Sequence, residues 1–552
     1  MLGILLSILL SIYHPPVSYD MSLAGNFGEP RPHHFHGGLD IKTDGVEGKA
    51  VYAIGDGYVS RVTMGKYGFG NAVYVTHPEG YTSVYCHLQA FTPRIRRAMR
   101  RYQYAHETSD GDAYFSPLDC PVAQGQLIAL SGNTGHSTGP HLHLEIHDTE
   151  TWNMLDPCDF IGDFINDTVP PMAHGLMACP QVGEGIFNGG AAPQTFSITG
   201  LTIERDFTAW GKVGFALWAD DYMQESNNHF GIRETILNVD GQEVFHAVVN
   251  DIPVESNRLV NAWGDYDHWL HHRTWYMKSF IEPGNTLQIL RAEHRGIVDF
   301  SEERDYQLEY ILRDYKGNES RYAFKVRGEA GEVRRTTHAD DRSHARLFRW
   351  NQTNTFSVPG MQLVVPYGLL AADMYLQPTK RSREEAFSDS YSFYPSSYPL
   401  ISEGEISLYA YTDRVGSDEV VRPEFDTSKF YVAANGQYAG GDYQNGWVTG
   451  RILELGASYT LEYDDEAPQI QPVRTDGHTV EISLTDRQSG VAVYTATLDG
   501  QFVVFDEVEK TSHVVCRLDE SPIRQAGRSR HLVFTATDHR DNSRTYETDI
   551  IY

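Results

Sequence analysis

The stretch from His141 to Ile146, HLHLEI, limits the local fold more than any other part of this sequence. Strict alternation of polar and apolar residues predicts a half-buried β-strand, on which successive side chains point to opposite faces. His141 and His143 therefore share one face, and the two leucines share the other. Paired imidazoles on a strand suit a metal such as Zn²⁺, although two solvated surface histidines have the same pattern.

The rest of the chain also favours an all-β fold. Its 552 residues exceed what one hydrophobic core supports and suggest roughly three to five domains. Tyrosine is frequent, with 33 residues, turn dipeptides recur, and stretches with helical periodicity are scarce.

The charge and the N-terminus restrict the partners and the location. A formal net charge of −29 argues against nucleic acid, because a phosphate backbone would be repelled. Residues 1–16 form a possible signal segment, because Leu2 to Ile12 is an apolar run too short to span a bilayer. It lacks a basic n-region, and a buried N-terminal strand is the alternative. We expect a secreted protein or one of the periplasm or cell envelope.

The five cysteines are too few for a disulfide-dependent fold, and their number is odd, so they cannot all pair within the chain. Cys158 with Cys179 is the one pairing that the sequence suggests. Cys86 precedes His87 on an apparent strand and should face away from it, so we interpret it as a small buried hydrophobic residue.

A second group of possible metal ligands lies between Asn26 and Ile41. Gly37 and Gly38 allow the chain to bend, so that His36 and Asp40 converge on one ion. His33 and His34 have no such partner, and we interpret them as surface residues or as supports behind a ligand.

Residues 91–116 carry five arginines and interrupt the β pattern. They predict a short basic helix followed by a loop. We interpret this segment as a solvated insertion, and the alternative is a lid or a wall of a groove.

Several motifs together resemble the lysostaphin/LytM-type zinc endopeptidases. They span roughly residues 23–160 in the order of that family, which makes the set far more specific than any one motif. The motifs are His36-x-x-x-Asp40, Tyr85-x-His87-Leu88, Gly125-Gln126, and Ser131-Gly-Asn-Thr-Gly135 with Gly139-Pro-His-Leu-His143.

The resemblance implies an antiparallel lysostaphin-like β domain over residues 17–170. It implies that His36, Asp40 and His143 bind Zn²⁺, with water in the fourth position, and that His87 and His141 are the catalytic pair that does not bind the metal. From the residues alone, His141 and His143 could both be ligands, which would leave Asp40 without a role. Asn71 lies where the family has a Gly-Asn pair and is either a substrate-groove residue or a structural turn residue. Glu145 shares the face of His143 and is either a support for that ligand or an ordinary strand carboxylate.

The chain has no HExxH helix, so the usual metalloprotease glutamate is missing. Histidine, with a pKa near the operating pH, is the remaining candidate for a general base. The resemblance implies peptidoglycan as substrate, with hydrolysis of an amide in the stem or cross-bridge peptides. An inactive scaffold or activator of another hydrolase should have lost a ligand or a catalytic histidine, and all five positions are present. A zinc carboxypeptidase would normally have a glutamate base near a ligand histidine.

Past Pro170-Pro171 the sequence predicts three further β domains, over residues 190–330, 340–463 and 464–552. The first and last share Asp-Gly turns at Asp240 and Asp499, and we predict related immunoglobulin-like sandwiches, the first with an insertion at about 252–300. Each also carries Asp-x-x-x-Asn, at Asp314 and Asp538. We interpret these residues as turn formers, with a Ca²⁺ site as the alternative. These domains could position the protein on the wall or on an envelope protein partner.

Overall fold

The structure is a computed structural model that describes residues 13–201, 203, 205–224, 226–333, 345–395, 398–415 and 425–552. Strands form most of its regular structure, and the longest helix has 13 residues, Pro93–Ala105. The prediction of an all-β chain is therefore confirmed. The apolar run from Leu2 to Ile12 lies outside the described residues. Among the described helices, none is long and apolar enough to cross a membrane.

The predicted strand is present as His141–Asp148, an interior strand of an antiparallel N-terminal sheet. Leu142 and Leu144 are fully buried in the core of this region, on the face opposite His141 and His143. In order across the sheet, the main strands are Leu23–Gly25, Gly38–Lys42, His141–Asp148, Tyr81–Cys86, Ala72–Thr76, Gly57–Thr63 and Asp112–Tyr114.

Shorter elements complete this region. A second sheet consists of Ala50–Tyr52, Leu127–Leu130 and Ala90–Phe91, and it covers the same core. The remaining strands are Pro30–Arg31, His34–Phe35, Pro121–Val122 and Met154–Leu155, and the short helices are Cys158–Ile161 and the 3₁₀ turn Gly162–Phe164.

The basic segment forms the predicted helix, Pro93–Ala105, in which Arg94, Arg97 and Arg101 are exposed, but Arg96 and Arg100 are not simply solvated. The Arg100 guanidinium binds the carboxylates of Asp506 and Glu520, which belong to the last domain, and Arg96 binds Glu520 at 2.7 Å. The interpretation as a solvated insertion is wrong for these two arginines, because acidic side chains more than 400 residues away cover them.

The first C-terminal region is one hydrogen-bonded sheet of ten strands around an aromatic core, which also includes Phe27, Phe35 and Met154 of the N-terminal region. The strands here are Met172–Phe187, Gln194–Ser197, Phe207–Asp220, Glu234–Val239, Gln242–Val248, Asp251–Ile252, Met277–Lys278, Leu290–Ala292, Val298–Phe300, Asp305–Arg313 and Glu319–Gly328, of which Asp251–Ile252 pairs with Met154–Leu155 of the N-terminal sheet. The predicted insertion contains the 3₁₀ helix Val254–Leu259, the helices Val260–Trp263 and Tyr266–His272, and a turn at Glu293–Gly296.

The middle region has two sheets, of six and five strands, over a separate core. Its strands are Arg346–Phe348, Asn354–Val358, Met361–Val365, Met374–Arg381, Ser390–Tyr394, Pro399–Tyr409, Phe430–Ala434, Gln437–Tyr438, Asp442–Gln444, Trp447–Glu454 and Tyr459–Tyr463, with one 3₁₀ turn at Thr427–Lys429.

The last region has two four-stranded sheets and a fourth core. Its strands are Gln469–Thr475, Thr479–Thr485, Val491–Leu498, Gln501–Phe502, Asp506–Glu507, His513–Arg517, Ser529–Asp538 and Ser543–Ile551, with one 3₁₀ turn at Leu518–Glu520.

Both predicted Asp-Gly hairpins are present. Asp240 and Asp499 have φ of 52° and 50°, and each following glycine is also in the left-handed region, as a two-residue type I′ turn requires. The first of the two repeats forms one continuous sheet and the last forms two, so the immunoglobulin-like architecture stays a prediction.

All five cysteines are buried and unpaired, and Cys158 and Cys179 therefore form no disulfide. Cys86 packs with Ala72, Tyr74 and Val84, as expected for a small hydrophobic residue.

Candidate metal centre and groove

Pairing of two neighbouring strands brings Asp40 beside His143. In the antiparallel register of Gly38–Lys42 with His141–Asp148, these two residues are direct partners. The chain reaches His36 through Gly37 and Gly38, which pass close to the strand His141–Asp148. A Cβ at Gly38 would collide with the carbonyl oxygen of Leu144, so close approach explains this glycine.

Three ligand atoms meet at this point. His36 Nε2 lies 3.0 Å from Asp40 Oδ1 and 3.0 Å from His143 Nδ1, and His143 Nδ1 lies 2.8 Å from Asp40 Oδ1. All three residues are buried, with 2–8% exposure. They form a group of possible metal ligands whose atoms all lie within 4.8 Å of one another, and His141 is not a member of that group.

The outer atom of each ligand is held by a further partner. His36 Nδ1 donates to the carbonyl oxygen of Asn26 at 2.6 Å, and His143 Nε2 donates to Glu145 Oε1 at 3.0 Å. Both rings therefore turn their other nitrogen toward Asp40 Oδ1. Glu145 also binds His147 through its second oxygen, at 2.7 Å, which supports the interpretation of Glu145 as a support for His143.

These residues fit a tetrahedral ion. Bonds of about 2.0–2.1 Å give ligand–ligand separations of roughly 3.3 Å, close to the distances between the three atoms. The two imidazole nitrogens and the carboxylate oxygen lie at hydrogen-bond distance of one another, so either a proton or a metal ion can be shared among them. Two nitrogens and one oxygen are a ligand set typical of Zn²⁺ with one position left open.

The electrostatics of the centre also favour a cation. Burial lowers the pKa of His36 to about 4, so its ring is neutral at neutral pH. Burial alone would lower the pKa of His143 too, but hydrogen bonds to Asp40 and Glu145 raise it to about 9. Burial acts to raise the pKa of Asp40, yet its contacts with His36, His141 and His143 hold it far below its usual range. Without a metal, His143 thus carries a proton that an ion must displace.

His87 and His141 stand beside these ligands. Their ring centroids are 4.8 Å apart, and His141 Nε2 lies 3.3 Å from Asp40 Oδ1. His87 Nδ1 donates to the carbonyl oxygen of Thr134 at 2.8 Å, and His141 Nδ1 donates to that of Gly139 at 2.8 Å. Each Nδ1 contact fixes its ring, and Nε2 of His141 is turned toward Asp40 Oδ1.

The environment of His87 is unusual in two ways. Its backbone has a φ of 58°, an uncommon conformation for a residue with a side chain. Burial lowers its pKa to about 3, and the neighbouring His143 and His141 add to this effect. His87 is therefore neutral at neutral pH and can accept a proton.

A groove of about 1060 Å³ opens over these side chains. The loop from His136 to Pro140 and Phe69 line it, and Phe69 stacks on His143 with ring centroids 5.9 Å apart. Val254 and Asn257, from the insertion in the first C-terminal region, form part of its wall.

Asn71 is not among the residues that line this groove, and it lines a separate cavity with Gln103 and Glu507. Its side chain donates to the carbonyl oxygen of Leu88 at 3.1 Å, and its backbone N–H donates to Thr134 Oγ1 at 2.9 Å. These contacts match the structural alternative for Asn71, since they fix the two loops that carry His87 and Thr134.

Sequence reasoning missed two supports of the centre. Arg31 Nη2 donates to Asp40 Oδ2 at 2.8 Å, and Asn257 Oδ1 accepts from the backbone N–H of Phe35 at 2.6 Å. No motif marks Arg31, and Asn257 is more than 200 residues away in sequence. His33 contacts Asn261, as a support would, whereas His34 is exposed.

Comparisons with known proteins concern parts of the chain. Residues 34–103 match Peptidase family M23. This range includes His36, Asp40 and His87 and ends before the strand His141–Asp148. Residues 345–464 match the Zu5-like domain.

An uncharacterized metalloprotease of Haemophilus influenzae is 33% identical over 120 residues, which are 22% of this chain and 19% of that protein. Peptidoglycan DD-endopeptidase ShyC of Vibrio cholerae is 32% identical over 127 residues, 22% of this chain and 24% of that protein. A solved zinc-containing peptidase from Vibrio cholerae is 30% identical, covering 24% of this chain and 35% of that chain, with a TM-score of 0.18. The chain thus spans about a fifth of the length of the curated relatives it matches.

Proposed function

Because this chain carries a domain of peptidase family M23, of the lysostaphin/LytM type, we propose that it is a zinc-dependent endopeptidase that hydrolyses peptidoglycan amide bonds. The bonds would lie in the stem or cross-bridge peptides. One observation carries the proposal: three ligand atoms converge at about 3 Å beside two further imidazoles, each fixed through its Nδ1 atom.

His36, Asp40 and His143 would hold the metal. A Zn²⁺ ion there supplies Lewis acidity, which polarises the scissile carbonyl and lowers the pKa of water toward neutrality. Arg31 and Glu145 keep the ligand atoms aligned, since each binds the outer side of one ligand.

His87 and His141 would handle the protons. Both rings donate through Nδ1 to a main-chain carbonyl, which leaves Nε2 as the atom that can accept a proton from the attacking water. A ring could donate from Nε2 to the developing oxyanion only after it has taken up that proton. The low pKa of His87, about 3, keeps its ring in the accepting form.

Glu145 is not placed to act as the base of a carboxypeptidase. Both of its oxygens already accept hydrogen bonds, from His143 and His147, on the outer side of the ligand ring. This arrangement favours histidine-assisted hydrolysis. The presence of all five histidine and aspartate positions likewise favours an enzyme over an inactive scaffold.

The proposed location is outside the cytoplasm or in the periplasm or envelope, where peptidoglycan is accessible. The support for this is the substrate together with the apolar run from Leu2 to Ile12.

The test is incubation of the purified chain with cell-wall sacculi, followed by mass spectrometry of the released peptides. We expect amide cleavage that a zinc chelator stops and added zinc restores. His87→Ala and His141→Ala should abolish turnover while zinc stays bound. An intact, zinc-loaded sample that cleaves nothing would refute the activity, and loss of zinc from His141→Ala would refute the ligand set.

A further inference from the structure

A second group of possible ligands lies where the N-terminal region continues into the first C-terminal sheet. Asp167, Asp221 and Asp314 each place one ligand atom within 4.8 Å of the other two. Their exposures are 4%, 1% and 4%, so this acidic cluster is shielded from water. Three buried carboxylates at this separation repel one another strongly unless a cation or a proton lies among them.

Two oxygens of the acidic cluster lack a hydrogen-bond partner within the described part of the chain. They are Asp167 Oδ2 and Asp221 Oδ1, and both are fully buried atoms. Nearby cations are engaged elsewhere: Lys316 donates to the carbonyl oxygen of Gly162, and Arg313 binds Glu234 and Glu319. Buried carboxylate oxygens without a partner indicate a missing positive ligand.

Asp314 is held in a defined orientation. Its two oxygens accept hydrogen bonds from the backbone and side-chain amides of Asn318, at 2.9 and 2.6 Å. The same side-chain amide lies 3.4 Å from the carbonyl oxygen of Asp167. Asn318 thus joins the segment that enters the sheet to a turn within it.

The last domain builds the same arrangement a second time. In each copy, one aspartate stands five residues before the first long strand, one directly follows the second, and one begins the closing turn that contains the asparagine. The second set is Asp464, Asp486 and Asp538, with Asn542, and its ligand atoms also lie within 4.8 Å of one another. Asn542 donates to the carbonyl oxygen of Asp464 at 2.9 Å, as Asn318 approaches that of Asp167. Recurrence at matching positions argues against a chance cluster.

We propose that Asp167, Asp221 and Asp314 bind a Ca²⁺ ion, which fastens the segment leaving the N-terminal region to the first C-terminal sheet. Oxygen-only ligands suit a hard cation, and Ca²⁺ accepts carboxylates and carbonyls in a flexible geometry. Mg²⁺ fits less well, because it keeps several waters and the cluster is almost inaccessible to solvent.

The experiment uses the full, zinc-loaded chain, exchanged into calcium-free buffer and titrated with CaCl₂. Bound calcium is measured by mass spectrometry of the elements and stability by the thermal midpoint. We expect calcium to bind and to raise the midpoint. Asp221→Asn should bind one calcium equivalent fewer than the unchanged chain.

The difference in thermal midpoint between Asp221→Asn and the unchanged chain should change sign when calcium is added. In calcium-free buffer Asp221→Asn should melt higher than the unchanged chain, because one of three repelling carboxylates is gone, whereas in saturating calcium it should melt lower. Asp167→Asn should behave alike and replaces Asp221→Asn if that variant does not fold. Asp163→Asn, an exposed residue in the same segment, should change neither quantity.

Three results would overturn the proposal. They are no bound calcium at millimolar concentration, an unchanged calcium count in both cluster variants, and an equal midpoint shift with Mg²⁺ at the same concentration.

Discussion

The histidine centre and the acidic cluster each gather three ligand atoms within 4.8 Å, but they differ in what holds those atoms. In the histidine centre, Asn26, Arg31 and Glu145 bind the outer side of His36, Asp40 and His143, respectively. In the acidic cluster, two of the carboxylates keep an oxygen with no partner among the described residues.

This difference suggests how two centres in one chain can each select a different metal ion. Rings and a carboxylate fixed from behind present a small, rigid set of nitrogen and oxygen ligands, which favours a tetrahedral ion. Carboxylates with unused oxygens can shift to meet a larger ion with more ligands. We therefore expect each centre to reject the metal of the other.

The largest effect should come from a pair of variants, each of which removes a ligand from one centre and leaves the other centre intact. His36→Ala removes one of three zinc ligands, so we expect it to lose zinc on gel filtration and to lose all turnover while its calcium binding is unchanged. Asp221→Asn should keep zinc and bind one calcium equivalent fewer. Metal content and sacculus cleavage, measured on the same preparations, check both halves.

The matched control for this exchange is His106→Ala. His106 is exposed directly after the helix Pro93–Ala105, does not line the groove, and its ring donates to the carbonyl oxygen of Tyr102, so both metals and the activity should be retained. If His36→Ala also lost calcium, the two centres would not be independent, and the comparison would fail.

A smaller effect should follow from weakening a support and leaving the ligands in place. Glu145→Gln keeps the shape but removes the charge that aligns His143 and His147, so zinc affinity should fall roughly 10–100-fold. Competition with a chromophoric chelator measures this. Glu150→Gln, in the exposed turn after the strand, should leave zinc affinity unaltered. An unaltered affinity in Glu145→Gln would show that rigid support does not distinguish the histidine centre.

The sequence predicted the parts of the histidine centre that depend on local periodicity and spacing. Alternation in the His141–Asp148 strand correctly separates Leu142 and Leu144 from the two histidines, because strand geometry alone decides the face. Strand pairing could not be read in this way. Asp40 meets His143 because two strands pair in one register, and register depends on the whole sheet.

Contacts between distant segments escaped prediction for the same reason. The basic helix was interpreted as solvated because nothing near Arg100 in sequence indicates Asp506 and Glu520. The spacing of Asp314 and Asn318 indicates a local turn, but Asp167, five residues before one strand, and Asp221, directly after another, join it only through the tertiary fold. Local patterns give turns and faces, whereas clusters of charge require the tertiary fold.

The smallest expected effect tests whether the two centres are separate. They share no ligand, and the hydrogen-bond partners that the described residues supply to one are not supplied to the other. Independent sites usually add within about 0.3–0.5 kcal/mol, so saturating calcium should change zinc affinity by roughly twofold or less. The measurement is the chelator competition at zero and saturating calcium, on the unchanged chain and on Asp221→Asn. A tenfold shift in the unchanged chain that disappears in Asp221→Asn would mean that the acidic cluster controls the histidine centre across the junction of the two sheets. The two centres would then be one coupled system, and the difference in how their ligands are supported would not make them independent.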